Sequence, residues 1–349
     1  MIEIASTIAK IIFIFFLCLS SLPLCVWFER RGSAWIQGRK GPNRVGPFGL
    51  IQPVADAIKF FFKESFIPTN ADKVLYLLAP LLALAAPVAA MISIPFGSYL
   101  LFENLGGNDQ YKIPLQIVQS DSGILFVLAF AGLEIYPLIL AGRASNNKYS
   151  ILGALRGCSQ LISYEIAMGL SILSMVVIYS TFEMNAMISY QQNHLWGVFI
   201  NPIGALIFWV AGFAETNRLP FDLAEGDSEI VAGYHLEYGA MKFALFFMSE
   251  YVAMMMVSAF LVTLFFGGYA LLPGMNFCIQ YFSATQNTIA IFQFLSLFLK
   301  VAFFMFIFIW VRWTLPRFRF DQLMHLGWNI LFPLSIINLL LMIVLGYLI

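Results

Sequence analysis

Charged residues are scarce in this chain of 349 residues. They make up 11% of it, whereas hydrophobic residues make up 60%. A soluble globular domain carries about 25% charged residues, so this chain has too few polar side chains to face water on all sides. Most of its surface is therefore expected to face lipid. The formal net charge is zero, which argues against a nucleic-acid partner.

Patterns that bind metals or nucleotides are also missing. The four cysteines form no CxxC pair and the three histidines are far apart, whereas iron–sulfur and zinc sites need closely organised thiolates and imidazoles. These residues are Cys18, Cys25, Cys158, Cys278, His194, His235 and His325. No GxGxxG or Walker-type loop stands between a strand and a helix. We expect no cofactor bound by this chain, so any electrons must come from a partner.

Long apolar runs predict an all-α polytopic membrane protein with eight transmembrane helices. A spanning helix needs about 20 mostly apolar residues, and eight runs approach this length. They lie at roughly 4–27, 74–97, 121–142, 152–180, 197–215, 239–267, 288–312 and 326–349. No small-residue cleavage site follows the first run, so we interpret it as a retained span rather than a signal peptide. Residues 1–349 are expected to form a single integral membrane domain.

The basic residues are distributed very unevenly between the two sides of the membrane. The loops after the first, third, fifth and seventh spans, with their flanks, hold sixteen Lys and Arg residues, whereas the opposite side holds Lys10 and Lys112. By the positive-inside rule, the odd loops face the cytoplasm or a mitochondrial matrix. Both termini are then expected on the outer side.

Two of these inner loops carry opposite charge. The inner-side basic loop spans 28–73 and the inner-side acidic loop spans 215–238. The acidic loop contains Glu215, Asp222, Glu225, Asp227 and Glu229 against Arg218. Because the loops lie on the same side, ion pairs between them are the modest expectation. So dense a cluster of acids could also share protons, since like charges raise each other's pKa values.

An amphipathic surface helix is predicted inside the basic loop. In Gln52–Lys63 the apolar residues fall at helical spacing, and Pro53 suits a first helical turn. Such a helix lies flat on the membrane surface. It is either a simple anchor or a wall over a lateral opening.

Four ionisable residues lie well inside predicted spans, away from their ends: Glu134, Glu165, Glu250 and Lys300. A charge at the membrane centre costs ~3 kcal/mol or more, so such groups face the bundle interior, form pairs or bind protons. The functional interpretation is a proton path from the acidic loop through Glu237 into the membrane. The structural interpretation is a static pair, such as Glu250 with Lys300.

Three stretches carry a family resemblance. They are ERRGSAWIQGRKGPNRVGPFGLIQPVADAIKFFFKE, ASNNKYSILGALRGCSQLISYE and FAETNRLPFDLAEGDSEIVAGYHLEYGAMKFALFFMSEY. They resemble the quinone-site membrane subunits of proton-pumping NADH:quinone oxidoreductase (respiratory complex I), called H in bacteria and 1 in mitochondria. The similarity extends along all eight predicted spans.

The resemblance implies site residues and partners. Quinone-chamber positions would be Glu29, Arg30, Arg39, Pro53, Arg218, Phe221 and Asp222. Proton-relay positions would be Glu134, Glu165, Glu215, Glu225, Asp227, Glu229, Glu237 and Glu250. The implied substrate is a quinone of the ubiquinone type. FMN and iron–sulfur clusters would belong to partner subunits of the peripheral arm, and small membrane subunits would be neighbours. The residues of these motifs are closer to bacterial versions, which favours a bacterial inner membrane over a mitochondrial one.

Three alternatives remain open from the sequence. Homologous membrane subunits of hydrogenase-type complexes share the Pro-Phe-Asp core, although the full ETNRLPFDLAEGDSE run favours the quinone enzyme. A stand-alone ion/proton antiporter would be expected to show inverted repeats, and no internal repeat is detectable. A pure scaffold would leave four ionisable residues in the bilayer without a reason.

Overall fold

The protein is a bundle of long helices whose loops gather their charges on one side. A computed structural model describes residues 2–103, 110–273, 275 and 285–348. The side chains of residues 2, 3, 102, 103, 110, 227, 228 and 348 are outside this description, as is all of Cys278. The helices are α1 (Ile2–Ile36), α2 (Gln52–Phe62), α3 (Lys73–Met91), α4 (Gly123–Gly132), α5 (Ile135–Ala144), α6 (Lys148–Tyr179), α7 (Met184–Asn193), α8 (Gly197–Ile200), α9 (Pro202–Glu215), α10 (Asp227–Ile230), α11 (Ala240–Phe265), α12 (Gln286–Thr314), α13 (Phe320–His325) and α14 (Phe332–Leu348).

Seven stretches of helix in these residues are long and apolar enough to cross a membrane. They are Ile4–Ile36, Lys73–Met91, Gly123–Ala144, Lys148–Tyr179, Ala240–Phe265, Gln286–Thr314 and Phe320–Tyr347. The predicted all-α polytopic class is therefore confirmed. The fifth predicted span, 197–215, is divided into α8 and α9, and α9 has only 14 residues. The count of eight and the outer position of both termini stay predictions.

Asn201 explains why α9 is short. Its side chain accepts a hydrogen bond from the backbone N–H of Gly204 at 2.8 Å, and Pro202 follows it as the first helical residue. An Asn cap followed by Pro is a strong start signal for a helix. The helix therefore begins inside the apolar run rather than before it.

The third predicted span is interrupted at Glu134. Helix α4 ends at Gly132 and α5 begins at Ile135. Pro137 has no N–H to donate to the carbonyl of Leu133, four residues earlier, and its ring crowds that position. The break places Glu134 at a helix junction inside the membrane bundle.

A short β-hairpin was not predicted from the sequence. Strands β1 (Tyr99–Glu103) and β2 (Gln110–Pro114) pair antiparallel, with Leu101 opposite Lys112. The side chain of Asn287 donates to the carbonyl of Leu101 and accepts from its N–H, at 2.8 and 2.7 Å. The hairpin is thereby attached to the start of α12.

The bundle is built around α6 and α11. Helix α6 packs against α5, α9 and α14, and α11 packs against α3 and α12. Tyr164 on α6 and Tyr251 on α11 are among the largest fully enclosed side chains. Helix α11 therefore lies in the interior, and a charged side chain on it is shielded from lipid.

We call the side formed by the loops 37–51, 216–239 and 315–319 the charged face. The predicted surface helix lies on this face as α2. Arg30 Nη1 binds Asp56 Oδ2 at 2.5 Å, and the ring of Phe60 lies 6.3 Å from that of Phe243 on α11. Phe61 and Phe62 are exposed. The helix is thus tied to α1 and α11 while its end presents aromatic side chains outward.

Candidate functional site: a carboxylate chain below the charged face

Glu29 is a buried junction between three spanning helices. Its carboxylate accepts hydrogen bonds from Tyr251 Oη at 2.7 Å, from Arg218 Nη1 at 3.3 Å and from Arg312 Nη1. The side chain of Glu29 is 8% exposed and that of Arg218 is 3% exposed. Helices α1, α11 and α12 therefore meet the acidic loop at one carboxylate.

Arg218 connects this junction to Glu250. Its Nε lies 3.2 Å from Glu250 Oε2, and its guanidinium carbon lies 4.2 Å above the ring centre of Tyr251. Burial alone would lower the pKa of Arg218. The nearby Tyr251, Glu250 and Glu29 raise the pKa by more than burial lowers it, so the net shift is upward. The guanidinium therefore stays charged between two carboxylates.

Glu225 extends this series of acids toward the protein surface. Its carboxyl group is close enough to that of Glu250 for a hydrogen bond when one of them holds a proton. His235 Nδ1 lies 3.6 Å from Glu225 Oε1. The side chain of Glu225 is 25% exposed, against 11% for Glu250. Glu225 therefore offers water a route to Glu250 from the charged face.

A small cavity links Glu250 to two further carboxyl groups. Its volume is about 30 Å³, and its lining includes Glu134, Glu215, Glu250, Tyr234 and Asn217. One water molecule needs about 10–15 Å³ measured in this way. The cavity can therefore hold one or two water molecules among three carboxyl groups.

The other end of the series consists of Glu134, Glu215 and Glu165. Glu215 is close enough to both other acids for their charges to repel. A Cβ atom built on Gly132 would lie 2.9 Å from Glu165 Oε1, so that carboxyl group lies against the end of α4. No basic side chain forms an ion pair with any of the three within residues 2–103, 110–273 and 285–348. Sharing protons lowers the free energy of such a cluster.

Three other acids named from the sequence have partners of their own. Glu237 accepts a hydrogen bond from Asn147 Nδ2 at 2.8 Å, and its place on the relay stays a prediction. Glu229 pairs with Arg156 at the surface, and Asp222 pairs with Arg317 at 2.8 Å. The side chain of Asp227 lies outside the described part of the chain.

The remaining predicted chamber positions surround the charged face. Phe221 packs between the rings of Tyr164 and Phe318, at 5.5 Å from each. Pro53 is buried at the start of α2. Arg39 is exposed and donates to Gln37 at 2.6 Å. The structure brings Phe221 close to the acidic loop, but it leaves Arg39 on the surface.

Sequence reasoning missed Tyr251, Arg312 and Arg317. The two arginines were counted only as inner-side charges, although the loop 315–319 lies against the acidic loop, where Phe318 N–H donates to Pro220 O at 3.2 Å. A signal was available, because basic residues follow the seventh span on the side where the acids accumulate. Which acid each arginine meets depends on the packing of distant helices.

Burial also affects two phenols of the acidic loop. Tyr234 and Tyr238 follow α10 and lie outside the spanning helices. Burial raises the pKa of each phenol, and the charge of Glu225 adds to the effect on Tyr234. Tyr234 therefore keeps its proton at neutral pH and borders the cavity as a neutral polar group.

An apolar groove runs along the outside of α1. It has a volume of about 300 Å³ and lies between α1 and α12, with Cys25, Phe28, Phe298 and Met305 in its lining. Phe28 precedes Glu29, so the groove ends near the buried junction. Its walls suit a hydrocarbon chain.

Lys300 does not pair with Glu250, so that predicted pair is wrong. Its Nζ donates to the backbone carbonyls of Phe266, Gly268 and Ala270 at 3.0, 3.0 and 2.7 Å. These carbonyls follow the last turn of α11, where the helix dipole is negative. Lys300 therefore provides hydrogen bonds to the backbone carbonyls that follow α11. This structural role accounts for its buried position.

Lys300→Met should lower stability rather than the rate of proton transfer. It would leave the carbonyls of Phe266 and Gly268 unpaired, at a cost of about 1–3 kcal/mol each, whereas the carbonyl of Ala270 would keep its hydrogen bond from Ser296 Oγ. We expect less assembled complex in the membrane but normal pumping per assembled complex. The measurement is the amount of complex on a native gel together with its pumping rate, with the exposed Lys112→Met as control. Normal assembly with defective pumping would contradict this account.

Comparison with known proteins agrees with this architecture. The family described as NADH dehydrogenase matches residues 8–343. The H subunit of the NADH-quinone oxidoreductase of Bdellovibrio bacteriovorus is 44% identical over 96% of this chain and 94% of the relative. The corresponding H subunit of Protochlamydia amoebophila is 47% identical over 90% and 89% of the two chains. Subunit 8 of the Rhodothermus marinus enzyme is 44% identical over 90% of each. The chain therefore belongs to the NADH dehydrogenase family, together with the H subunits of NADH-quinone oxidoreductases.

Proposed function

We propose that this chain is the quinone-site membrane subunit of a proton-pumping NADH:quinone oxidoreductase in a bacterial inner membrane. It forms the membrane part of the quinone chamber and couples quinone reduction to proton pumping. The observation that carries this proposal is the series of carboxyl groups from Glu225 through Glu250 and the small cavity to Glu134, Glu215 and Glu165. Such a series inside apolar helices is costly to maintain unless it handles protons.

The junction at Glu29 is the point at which quinone chemistry would act. Reduction of a quinone takes up two electrons and two protons, so negative charge appears before the protons arrive. Two unit charges about 8 Å apart interact by about 2 kcal/mol at an effective dielectric constant near 20. An anionic quinone near Arg218 and Arg312 would therefore compete with Glu29 and Glu250 for the two guanidinium groups. Glu250 would then favour its protonated form.

Proton movement would continue sideways from Glu250. Water in the cavity would connect it to Glu134 and Glu215, and Glu165 would pass the change to neighbouring membrane subunits. FMN, the iron–sulfur clusters and the site of electron transfer would belong to the peripheral-arm subunits. This chain would supply orientation, charge and proton transfer, with ubiquinone as the substrate of the whole complex.

The surface helix α2 would cover the entrance for the quinone tail. It is held through Arg30 and Asp56, and its apolar end at Phe61 and Phe62 faces outward. A surface ion pair contributes only about 0–1 kcal/mol, and the contact of Phe60 with Phe243 on α11 adds one aromatic pair, so α2 can move away at modest cost. The helix therefore suits a movable wall better than a fixed anchor.

Glu215→Gln tests the relay directly. Glutamine preserves size and polarity but cannot release a proton, so we expect NADH-driven pumping to fall by about 10²-fold. Pumping is measured in proteoliposomes by a pH-sensitive dye. The matched control is Glu183→Gln, which removes a carboxyl group at the start of α7, outside the carboxylate series. Wild-type pumping in Glu215→Gln would exclude a proton relay through this series.

A further inference from the structure

His235 occupies a fixed position opposite Glu225. Its Nδ1 lies 3.6 Å from Glu225 Oε1, and its ring contacts those of Tyr234 and Phe243 with centroids 5.0 and 5.2 Å away. The side chain is 11% exposed. A histidine confined between two aromatic rings has little freedom to turn away, so its distance to the carboxylate reflects the fold.

The backbone around His235 is also secured. Tyr234 N–H donates to Ala224 O at 3.3 Å, and Ser150 Oγ donates to Tyr234 O at 2.8 Å. Gly233 has φ +56°, and a Cβ atom there would lie 1.8 Å from Ala224 O. Only glycine permits this approach. The glycine therefore brings the histidine turn directly onto the segment that carries Glu225.

The other ionisable groups near His235 have different partners. Glu237 binds Asn147, and the Tyr76 hydroxyl donates to Glu237 O. Lys242 donates to Phe66 O at 3.3 Å and lies 4.8 Å from the ring centre of Tyr76. Tyr234 keeps its proton because burial raises its pKa. Two helices pack against this turn: α6 contributes Ser150, and its Arg156 pairs with Glu229, whereas Arg143 of α5 is exposed. Glu225 is therefore the charged partner of His235 among the described contacts.

We propose that His235 is the proton-loading group of the carboxylate series, an inference that rests on the proposed relay. When one bridging water molecule or a small movement closes the 3.6 Å gap, the imidazolium gives its Nδ1 proton to Glu225 Oε1, and Glu225 gives a proton to Glu250. His235 then regains a proton from water at the charged face. Each step moves one proton and leaves one proton carried from the surface to Glu250.

The chemistry explains why a histidine belongs here. A carboxyl group in water is almost fully ionised at neutral pH, so it seldom carries a proton to hand on. Imidazole exchanges protons readily near neutrality. Placed 3.6 Å from Glu225, whose side chain is 25% exposed, it stands where a proton from the surface can pass to the series. His194 stacks on Tyr190 and therefore offers a control outside this series.

His235→Asn tests the proposal. Asparagine can still bond to Glu225 but cannot carry a proton, so loading must proceed directly from water. We expect the alkaline limb of the pH profile for quinone-linked pumping to move to lower pH by about one unit, matching a roughly tenfold slower loading step. We also expect free imidazole in the buffer to restore the rate. His194→Asn should match the wild type with and without imidazole.

Two results would overturn the proposal. One is a wild-type pH profile in His235→Asn. The other is lost activity that imidazole does not restore in fully assembled complex, which would indicate a structural role; His235→Gln repeats the measurement if the first variant assembles poorly. A failure of the loading role of His235 can be distinguished from a failure of the proposed relay. Normal pumping in His235→Asn with defective pumping in Glu215→Gln would reject the loading role alone, whereas normal pumping in both would reject the relay.

Discussion

Glu250→Gln is expected to reduce both proton pumping and quinone reduction by about 10²-fold or more. Glu250 is the residue that touches both halves of the site, because it binds Arg218 at 3.2 Å and lines the small cavity. Glutamine keeps the size and polarity of the side chain but cannot carry charge or a proton. The protein would then lose the connection between the junction at Glu29 and the acids Glu134, Glu215 and Glu165.

The control for this change is Ser249→Ala. Ser249 also lines the cavity, but its hydroxyl donates to Phe246 O within the same helix at 2.6 Å. Pumping and quinone reductase activity are measured beside NADH:ferricyanide activity, which does not need the membrane site. Wild-type pumping by Glu250→Gln in assembled complex would mean that the carboxylate series is passive.

Glu29→Ala is expected to prevent stable assembly. Removing one partner of a buried ion pair costs about 3–5 kcal/mol, because the remaining charge is left without compensation. Glu29 has two such partners, Arg218 and Arg312, and it also accepts from Tyr251. The expected result is a large fall in the amount of complex and in its unfolding temperature in detergent.

A neighbouring ion pair supplies the control. Arg30→Gln breaks the contact with Asp56, but Arg30 is 46% exposed. Exposed pairs contribute about 0–1 kcal/mol, so assembly and thermal stability should change little. If Glu29→Ala were as stable as Arg30→Gln, the junction would not hold α1, α11 and α12 together.

The sequence predicted the membrane architecture because hydrophobic length is a local property. The helices α6, α11 and α12 follow the apolar runs closely, whereas α1 continues past its predicted end near 27 to Ile36, into the predicted basic loop, and α3 ends at Met91 rather than near 97. The surface helix α2 was also predicted, since its amphipathic pattern lies within eleven residues. Local signals for breaks were present but not used: Pro137 explains the interruption at Glu134, and Asn201 with Pro202 explains the short α9.

The site was predictable only in its residue types. Glu29 meets Arg218 and Arg312 across 189 and 283 residues, and no local pattern specifies such partners. Lys300 was paired with the wrong group because its true partners are backbone carbonyls, which carry no mark in the sequence. Glu237 was placed on the path by its position between the loop and α11; its hydrogen bond to Asn147, 90 residues away, is again a partner that no local pattern specifies.

The most direct test is infrared difference spectroscopy of the complex between its oxidised and reduced quinone states. The account predicts a carboxyl C=O band that appears on reduction, as Glu250 or its neighbours take up a proton. That band should be lost or shifted in Glu250→Gln and retained in Ser249→Ala. Identical difference spectra in the wild type and Glu250→Gln would contradict a link between quinone reduction and these acids.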